Sequence, residues 1–169
     1  VESRTLSHVV ADDSLPRFSR TAGAALLQVS SDQQLWVVCV HLHPGDVELR
    51  AREGTLLWER LQGLLPFCEN AVVLGDFNCE VDEPVHGHLR DSGFVNAMAA
   101  AGGGLQLTMD TADIHDWKID HIYLSSGLGS RLTSAAIIRD VGFRTDPPRP
   151  EGAWDHSDHL PVQADLDWP

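Results

Sequence analysis

Positive charge is scarce in this chain of 169 residues: 12 Lys and Arg stand against 25 Asp and Glu, a formal net charge of −13. A module that grips nucleic acid through a Lys/Arg stripe carries a high pI, so that partner class is open but not favoured by the charge. The deficit leaves room for an enzyme that meets phosphate through a bound cation, because the metal supplies the positive charge. Long apolar runs are missing as well. The longest stretch without a charge, Ser92 to Met109, is broken by Gly102-Gly103-Gly104 and by polar residues, whereas a membrane-spanning helix needs roughly 20 apolar residues. Cysteine is sparse and odd in number. Cys39, Cys68 and Cys79 lack close spacing and read as free thiols, which leans toward a reducing compartment. The chain opens Val1-Glu2-Ser3-Arg4 without Met or an apolar leader. That opening is expected of the inside of a longer protein, so the lack of a targeting segment leaves location open.

What is present is a globular composition, 43% hydrophobic and 22% charged, of a length that fits one domain over residues 1–169. Residues 1–23 read as loop plus an edge strand. Residues 24–30 and 35–42 read as strands separated by Ser30-Ser31-Asp32, and the second is a β-branched and aromatic run expected to be buried on both faces. Alternation puts Val37, Cys39 and His41 on one face, with His41 at the strand's C-terminal end. Asp46 reads as the N-cap of a helix from about Val47 to Leu65, stopped by Pro66, with Leu49, Leu56, Leu57, Leu64 and Leu65 on one face. A short strand, Ala71 to Leu74, runs into Gly75-Asp76-Phe77-Asn78. A brief helix over Val85–Asp91 closes at Gly93, and 94–118 stays ambiguous. Strands are expected at Ile119–Leu124, about Ala135–Phe143 and Leu160–Leu166, with a Pro-rich loop at 145–153. The class is mixed α/β.

Polar residues collect at the ends of four strands: His41 and His43, Asp76 and Asn78, Asp120 and His121, then Asp155-His156-Ser157-Asp158-His159. Asp76 and Asn78 read equally well as turn formers, since Asx side chains bond their own backbone. Asp120 lies among Ile119, Ile122, Tyr123 and Leu124, where a carboxylate is costly unless it has a partner.

The order of these pieces is more specific than any one of them. A strand ending His41-Leu42, then Gly75-Asp76-Phe77-Asn78, then Ile119-Asp120-His121-Ile122, then Ser157-Asp158-His159-Leu160-Pro161-Val162 resembles the endonuclease/exonuclease/phosphatase family. The resemblance implies a four-layered α/β sandwich of deoxyribonuclease I-like type. It also implies metal-dependent hydrolysis of phosphodiester or phosphomonoester bonds, with Mg²⁺ as cofactor and Mn²⁺ as the alternative. By position, Asp76 matches the residue that orients or deprotonates the attacking water, and Asn78 its neighbour at the phosphate. His159 and His41 match imidazoles that contact the phosphoryl group, Asp158 matches a metal ligand, and Asp120 matches the carboxylate holding the His159 ring. Trp154 and His156 are candidate substrate contacts. Phosphoryl transfer gains mainly from positioning and charge neutralisation, which these residue types supply.

Two of the family's motifs, an opening strand with Asn and a strand ending in Gln-Glu, have no counterpart here, and Glu2 and Glu48 are poor substitutes for that Glu. The expectation is a partial domain, lacking its N-terminal elements. Three readings stay open: the missing part comes from another chain or segment, the fragment works with an altered metal site, or it is a non-catalytic or complementation fragment acting as a binding module. A zinc-binding His-rich domain is a minor fourth. Of the other histidines, His86 and His88 read as solvated, His43 and His115 as loop residues near the site mouth, and His121 as structural. Cys79 reads as packing. Arg139, Arg144 and Arg149 form a candidate phosphate-facing patch. Trp117 and Trp154 either line the substrate mouth or cover the end of the core.

Overall fold

The computed structural model describes residues 2–5, 18–110, 116–139 and 157–168. Strands β1 (Glu2–Thr5), β2 (Thr21–Gln28) and β3 (Gln34–His41) form an antiparallel meander. Helix α1 (Val47–Leu64) then carries the chain over to β4 (Ala71–Asp76), which pairs with β3 in parallel. A helix is the usual bridge here, since two parallel strands need a crossover connection. A 3₁₀ turn, Pro84–His86, leads into α2 (Gly87–Asp91), β5 (Val95–Asn96) and α3 (Ala97–Ala101). A small ladder of β6 (Met109–Asp110) and β7 (Asp116–Trp117) precedes β8 (Asp120–Leu124), α4 (Ser126–Gly129), β9 (Leu132–Ile137) and β10 (Val162–Leu166). The main sheet runs β1-β2-β3-β4-β8-β5, and β9 and β10 form a second, antiparallel sheet.

Alternation along the central strands builds one core on each face of the main sheet. Ala71 and Val73 of β4, Trp36, Val38 and Val40 of β3, and Tyr123 of β8 pack beneath α1. Val72 and Leu74, with Ile122 and Leu124, turn the other way and pack with Ala135, Ile137 and Val162 of the second sheet. Helix α1 starts where Asp46 accepts a bond from the Leu49 amide at 2.9 Å, replacing one of the unpaired donors of a helix start. It buries Leu56, Leu57, Leu61 and Leu64, each contributing about 1.5–3 kcal/mol by removal from water. Gly54 lets the helix approach the 3₁₀ turn closely, for a Cβ there would lie 2.8 Å from the Val85 Cα.

Three expectations change. Strand β3 is fully buried on one face and only partly covered on the other: Trp36, Val38 and Val40 are buried, Leu35 and Val37 are half-buried, and Cys39 is exposed, because the apolar cluster on the second face takes in Leu35, Leu74 and Ile122 but stops short of Cys39. The inner face of α1 also holds Arg50, Glu53 and Gly54, with Leu49 and Leu65 only half-buried. His86 is buried, 1% exposed, because it closes a polar cluster with Cys79 and Tyr123 beneath the sheet end. His88 is exposed, as expected. The ambiguous 94–118 stretch holds the short elements β5, α3, β6 and β7. The loop 145–153, His115, Arg144 and Arg149 lie outside the described residues.

Candidate active site

The sheet register assembles the site as a row. Thr21 lies opposite His41, His41 opposite Asp76, and Asp76 opposite Asp120, across β2, β3, β4 and β8. Residues paired this way share one face of a sheet, so three of the expected site residues stand side by side. Backbone bonds lock the row's end: the Leu42 amide donates to the Asp76 carbonyl at 3.0 Å, and the Phe77 amide to the Ile119 carbonyl at 2.9 Å.

The turn after β4 depends on two backbone conformations. Gly75 has φ +131, and a Cβ there would fall 2.1 Å from the Val40 carbonyl oxygen, so only glycine fits. Asn78 sits at φ +54, a left-handed conformation that Asn tolerates better than most residues. There its amide donates to Asp76 Oδ1 at 2.8 Å, and its Nδ2 donates to the Leu42 carbonyl at 2.9 Å and to Asp76 Oδ2 at 3.2 Å. Asp76 and Asn78 thus build the turn, and the turn holds the Asp76 carboxylate beside His41 and opposite Asp120.

His159 Nδ1 bonds Asp120 Oδ2 at 2.8 Å. That bond, with the neighbouring charge of Asp120, raises the His159 pKa against the opposing effect of burial, and Asp76 and Asp158 push the same way. Burial raises the Asp76 carboxyl, opposed by the Asn78 amide, and Asp120 raises it further. His41 Nε2 lies 3.4 Å from Asp76 Oδ2. Asp76, Asp120 and His159 each offer one donor atom, all within 4.8 Å of one another. Asp158 is exposed at the rim beside His159 and outside that trio. Trp154 and His156 lie outside the described residues. Trp117 is 38% exposed, and Arg139 is exposed with one long bond to the Leu107 carbonyl. His121 faces the opposite side, buried between the Cys79 carbonyl and the Asn96 carboxamide, the structural place expected for it.

Sequence reasoning misses the groups that hold these elements together. Buried Thr108 accepts on its hydroxyl from both the Ile119 and Asp120 amides, each at 3.0 Å, while its carbonyl accepts from the Leu160 amide at 2.7 Å. One residue thereby joins the strand of Asp120 to the segment of His159. Arg50 donates to both carboxylate oxygens of Glu83, at 2.8 and 2.6 Å, and to the His43 carbonyl at 2.8 Å. It thus ties the loop after β3 to the loop after β4. Glu53 accepts from the amides of Ser19 and His43. His43 is a loop residue, its ring capping the amides of Gly45 and Asp46. A cavity of about 350 Å³ opens beside the Asp120–His159 pair, lined by Leu74, Ile122, Leu160 and Pro161 among others.

No family model matches this chain, and no curated protein does. Solved structures do. A 3′-5′ exonuclease from Neisseria meningitidis superposes with a TM-score of 0.70 at 18% identity, covering 99% of this chain and 71% of its own. A mannosyl-6-phosphatase from Bacteroides thetaiotaomicron gives 0.73 at 18% identity, covering 99% and 65%. An endonuclease/exonuclease/phosphatase family protein from the same organism gives 0.72 at 16% identity, covering 96% and 62%. The chain spans between 62% and 71% of the length of these three proteins. Its fold is the deoxyribonuclease I-like α/β fold of the endonuclease/exonuclease/phosphatase proteins.

Proposed function

We propose that this chain carries the phosphate-ester site of a divalent-metal-dependent hydrolase. The observation that carries the reading is the row His41, Asp76, Asp120, closed by His159 on Asp120 at 2.8 Å. Asp76, central in that row, is the group that orients the attacking water. Asn78 holds that carboxylate through its amide and carboxamide. His159, whose Nδ1 is engaged by Asp120, donates to a phosphoryl oxygen through Nε2 in its protonated form, which the Asp120 pairing favours, and His41 stands on the other side of Asp76. Positioned donors of this kind stabilise the charge that builds in the transition state.

The donor chemistry fits a hard divalent cation. Two carboxylates and an imidazole converge; Mg²⁺ prefers the oxygens, and Mn²⁺ accepts the nitrogen as well. Asp76 and Asp120, with Asp158 at the rim, would hold it. Once bound, the cation supplies the positive charge that a chain of net charge −13 lacks. The substrate is a phosphate ester. The named neighbours, an exonuclease and a sugar phosphatase, support both ester classes.

The test is hydrolysis of bis(p-nitrophenyl) phosphate with Mg²⁺ or Mn²⁺ and with EDTA, beside Asp76→Asn. Metal-dependent turnover that falls by about 10²-fold or more in the variant is expected. Equal turnover in both proteins would overturn the roles assigned here. Lack of turnover with either metal would favour the binding-module reading.

A further inference from the structure

The face of the main sheet opposite the carboxylate row holds a cavity that the phosphate-ester site does not use. Along β8, Ile122 and Leu124 pack toward the second sheet while Tyr123 packs toward α1, since successive side chains alternate across a sheet. On the Tyr123 side lies a cavity of about 270 Å³, walled by Val81, Phe94, Ala99, Leu105 and Tyr123. The Gly102-Gly103-Gly104 break in the sequence shapes one wall. Gly103 and Gly104 take φ +76 and +106, and the Gly104 amide bonds back to the Met98 carbonyl at 3.3 Å. That turn ends α3 and brings Leu105 to the cavity. Two polar side chains of the lining are already engaged. Asn96 Oδ1 accepts from the Ala99 amide at 3.1 Å, and the Tyr123 hydroxyl lies 2.9 Å from His86 Nδ1. Arg90, also at the lining, differs: its Nε is 3.6 Å from Asp91 Oδ1, with the two side chains 65% and 77% exposed. An exposed pair of that length contributes little, so an anion from solvent takes its place at small cost.

We propose that this cavity is a second binding site, which takes a small monocarboxylic acid with an apolar body and seats its carboxylate on Arg90. Small-molecule sites are mostly apolar, with a few placed polar groups that fix orientation, and this lining has that make-up. The walls ask for an arylalkyl or branched alkyl group, and with Asn96 and Tyr123 engaged, the ligand needs one polar group only. A guanidinium fork matches the two oxygens of a carboxylate. One arginine matches one negative charge. Asp82 and Asp91 adjoin Val81 and Arg90 in a chain of net charge −13, so a dianion such as a phosphate monoester is repelled. The inference stands apart from the phosphoesterase reading and does not rest on it.

The experiment titrates the wild-type protein with hydrocinnamate by calorimetry and maps the site by amide chemical shifts in isotope-labelled protein. Saturable binding is expected with a Kd of about 0.1–1 mM, and with shifts centred on Val81, Ala99 and Leu105. Hydrocinnamamide keeps the apolar body and loses the charge, so it should bind about tenfold more weakly. Arg90→Met should weaken hydrocinnamate by the same factor and leave the amide unchanged, because both changes remove one contact. Ala99→Phe fills the cavity from an exposed position on α3 and should abolish binding of both. Arg90 is exposed, so Arg90→Met keeps the fold and decides the proposal whatever Ala99→Phe does to stability. Equal affinities for acid and amide in the wild type would overturn it, as would acetate binding as tightly as hydrocinnamate. Shifts centred instead on Leu74 and Leu160, beside the Asp120–His159 pair, would overturn it too. So would the lack of saturation up to about 10 mM ligand.

Discussion

Acid should destabilise this protein through His86, and the size of the effect follows from where that ring sits. His86 is stacked on Phe77 with ring centroids 5.0 Å apart, its Nδ1 2.9 Å from the Tyr123 hydroxyl and its Nε2 3.2 Å from the Cys79 sulfur. Burial pushes its pKa down from 6.5 to about 3, and nearby His121 pushes the same way. Between those values the unfolded chain takes a proton that the folded chain refuses. The stabilisation is therefore complete above the unfolded value, declines as pH falls below it, and is exhausted near the folded value. The slope for one such group is about 1.4 kcal/mol per pH unit. Moving from pH 6.5 to pH 4 thus removes about 3 kcal/mol of a total that for domains lies at roughly 5–15 kcal/mol. His86→Gln keeps a hydrogen-bonding side chain and removes the titration. Urea unfolding of both proteins at steps from pH 4 to pH 7 reads the difference. The variant should be less stable at neutral pH and lose less on acidification, with a residual slope from His121, which burial also depresses. Parallel curves for the two proteins would refute the reasoning.

Two further outcomes are expected. Asp120→Asn keeps the shape of the partner but removes its charge beside His159, so activity should fall by about 10²–10⁴ with the fold retained; circular dichroism and kcat together check it, and unchanged kcat would end the pairing's role. Arg50→Met removes the bidentate bond to Glu83; because Glu83 stays 22% exposed and can rehydrate, the loss should be about 2–3 kcal/mol rather than the 3–5 of a fully buried pair. Replacing Glu83 as well should recover part of that loss in denaturant midpoints, and a double variant no more stable than the single one would contradict the clamp.

Apolar pattern and punctuation made much of the site legible. The run 35–42, the Asp46 cap and Pro66 located β3 and α1, and Gly75-Asp76-Phe77-Asn78 placed a strand end where the sheet ends. The partner sought for Asp120, a carboxylate among apolar neighbours, is His159. What periodicity could not reach were polar groups buried by partners distant in sequence. Arg50 meets Glu83, 33 residues on, and Glu53 meets the Ser19 amide 34 residues back. A helix pattern marks such residues as solvent-facing because their neutralisation is a tertiary event. His86 was misplaced for the same reason: Pro84 and Gly87 beside it signal a turn, and nothing local reveals that Tyr123 and Phe77 close over it. Thr108 carries no motif at all. Its role follows from a single hydroxyl and carbonyl shared between two distant segments, which is a property of the assembled fold.

The parallel pairing of β3 with β4 divides the molecule into a working rim and a handling rim. Both strands run toward His41 and Asp76, so both begin at the opposite border, where Gln34 and Asn70 lie and where β8 ends at Leu124. The five steps from Ala71 to Asp76 along β4, at about 3.3 Å each, put that border some 17 Å from the carboxylate row. The turn at 31–33 and the segment 67–70 are solvent-facing or half-buried there. Tethering the protein to a surface or sensor through that border would leave the chemistry pointed into solution.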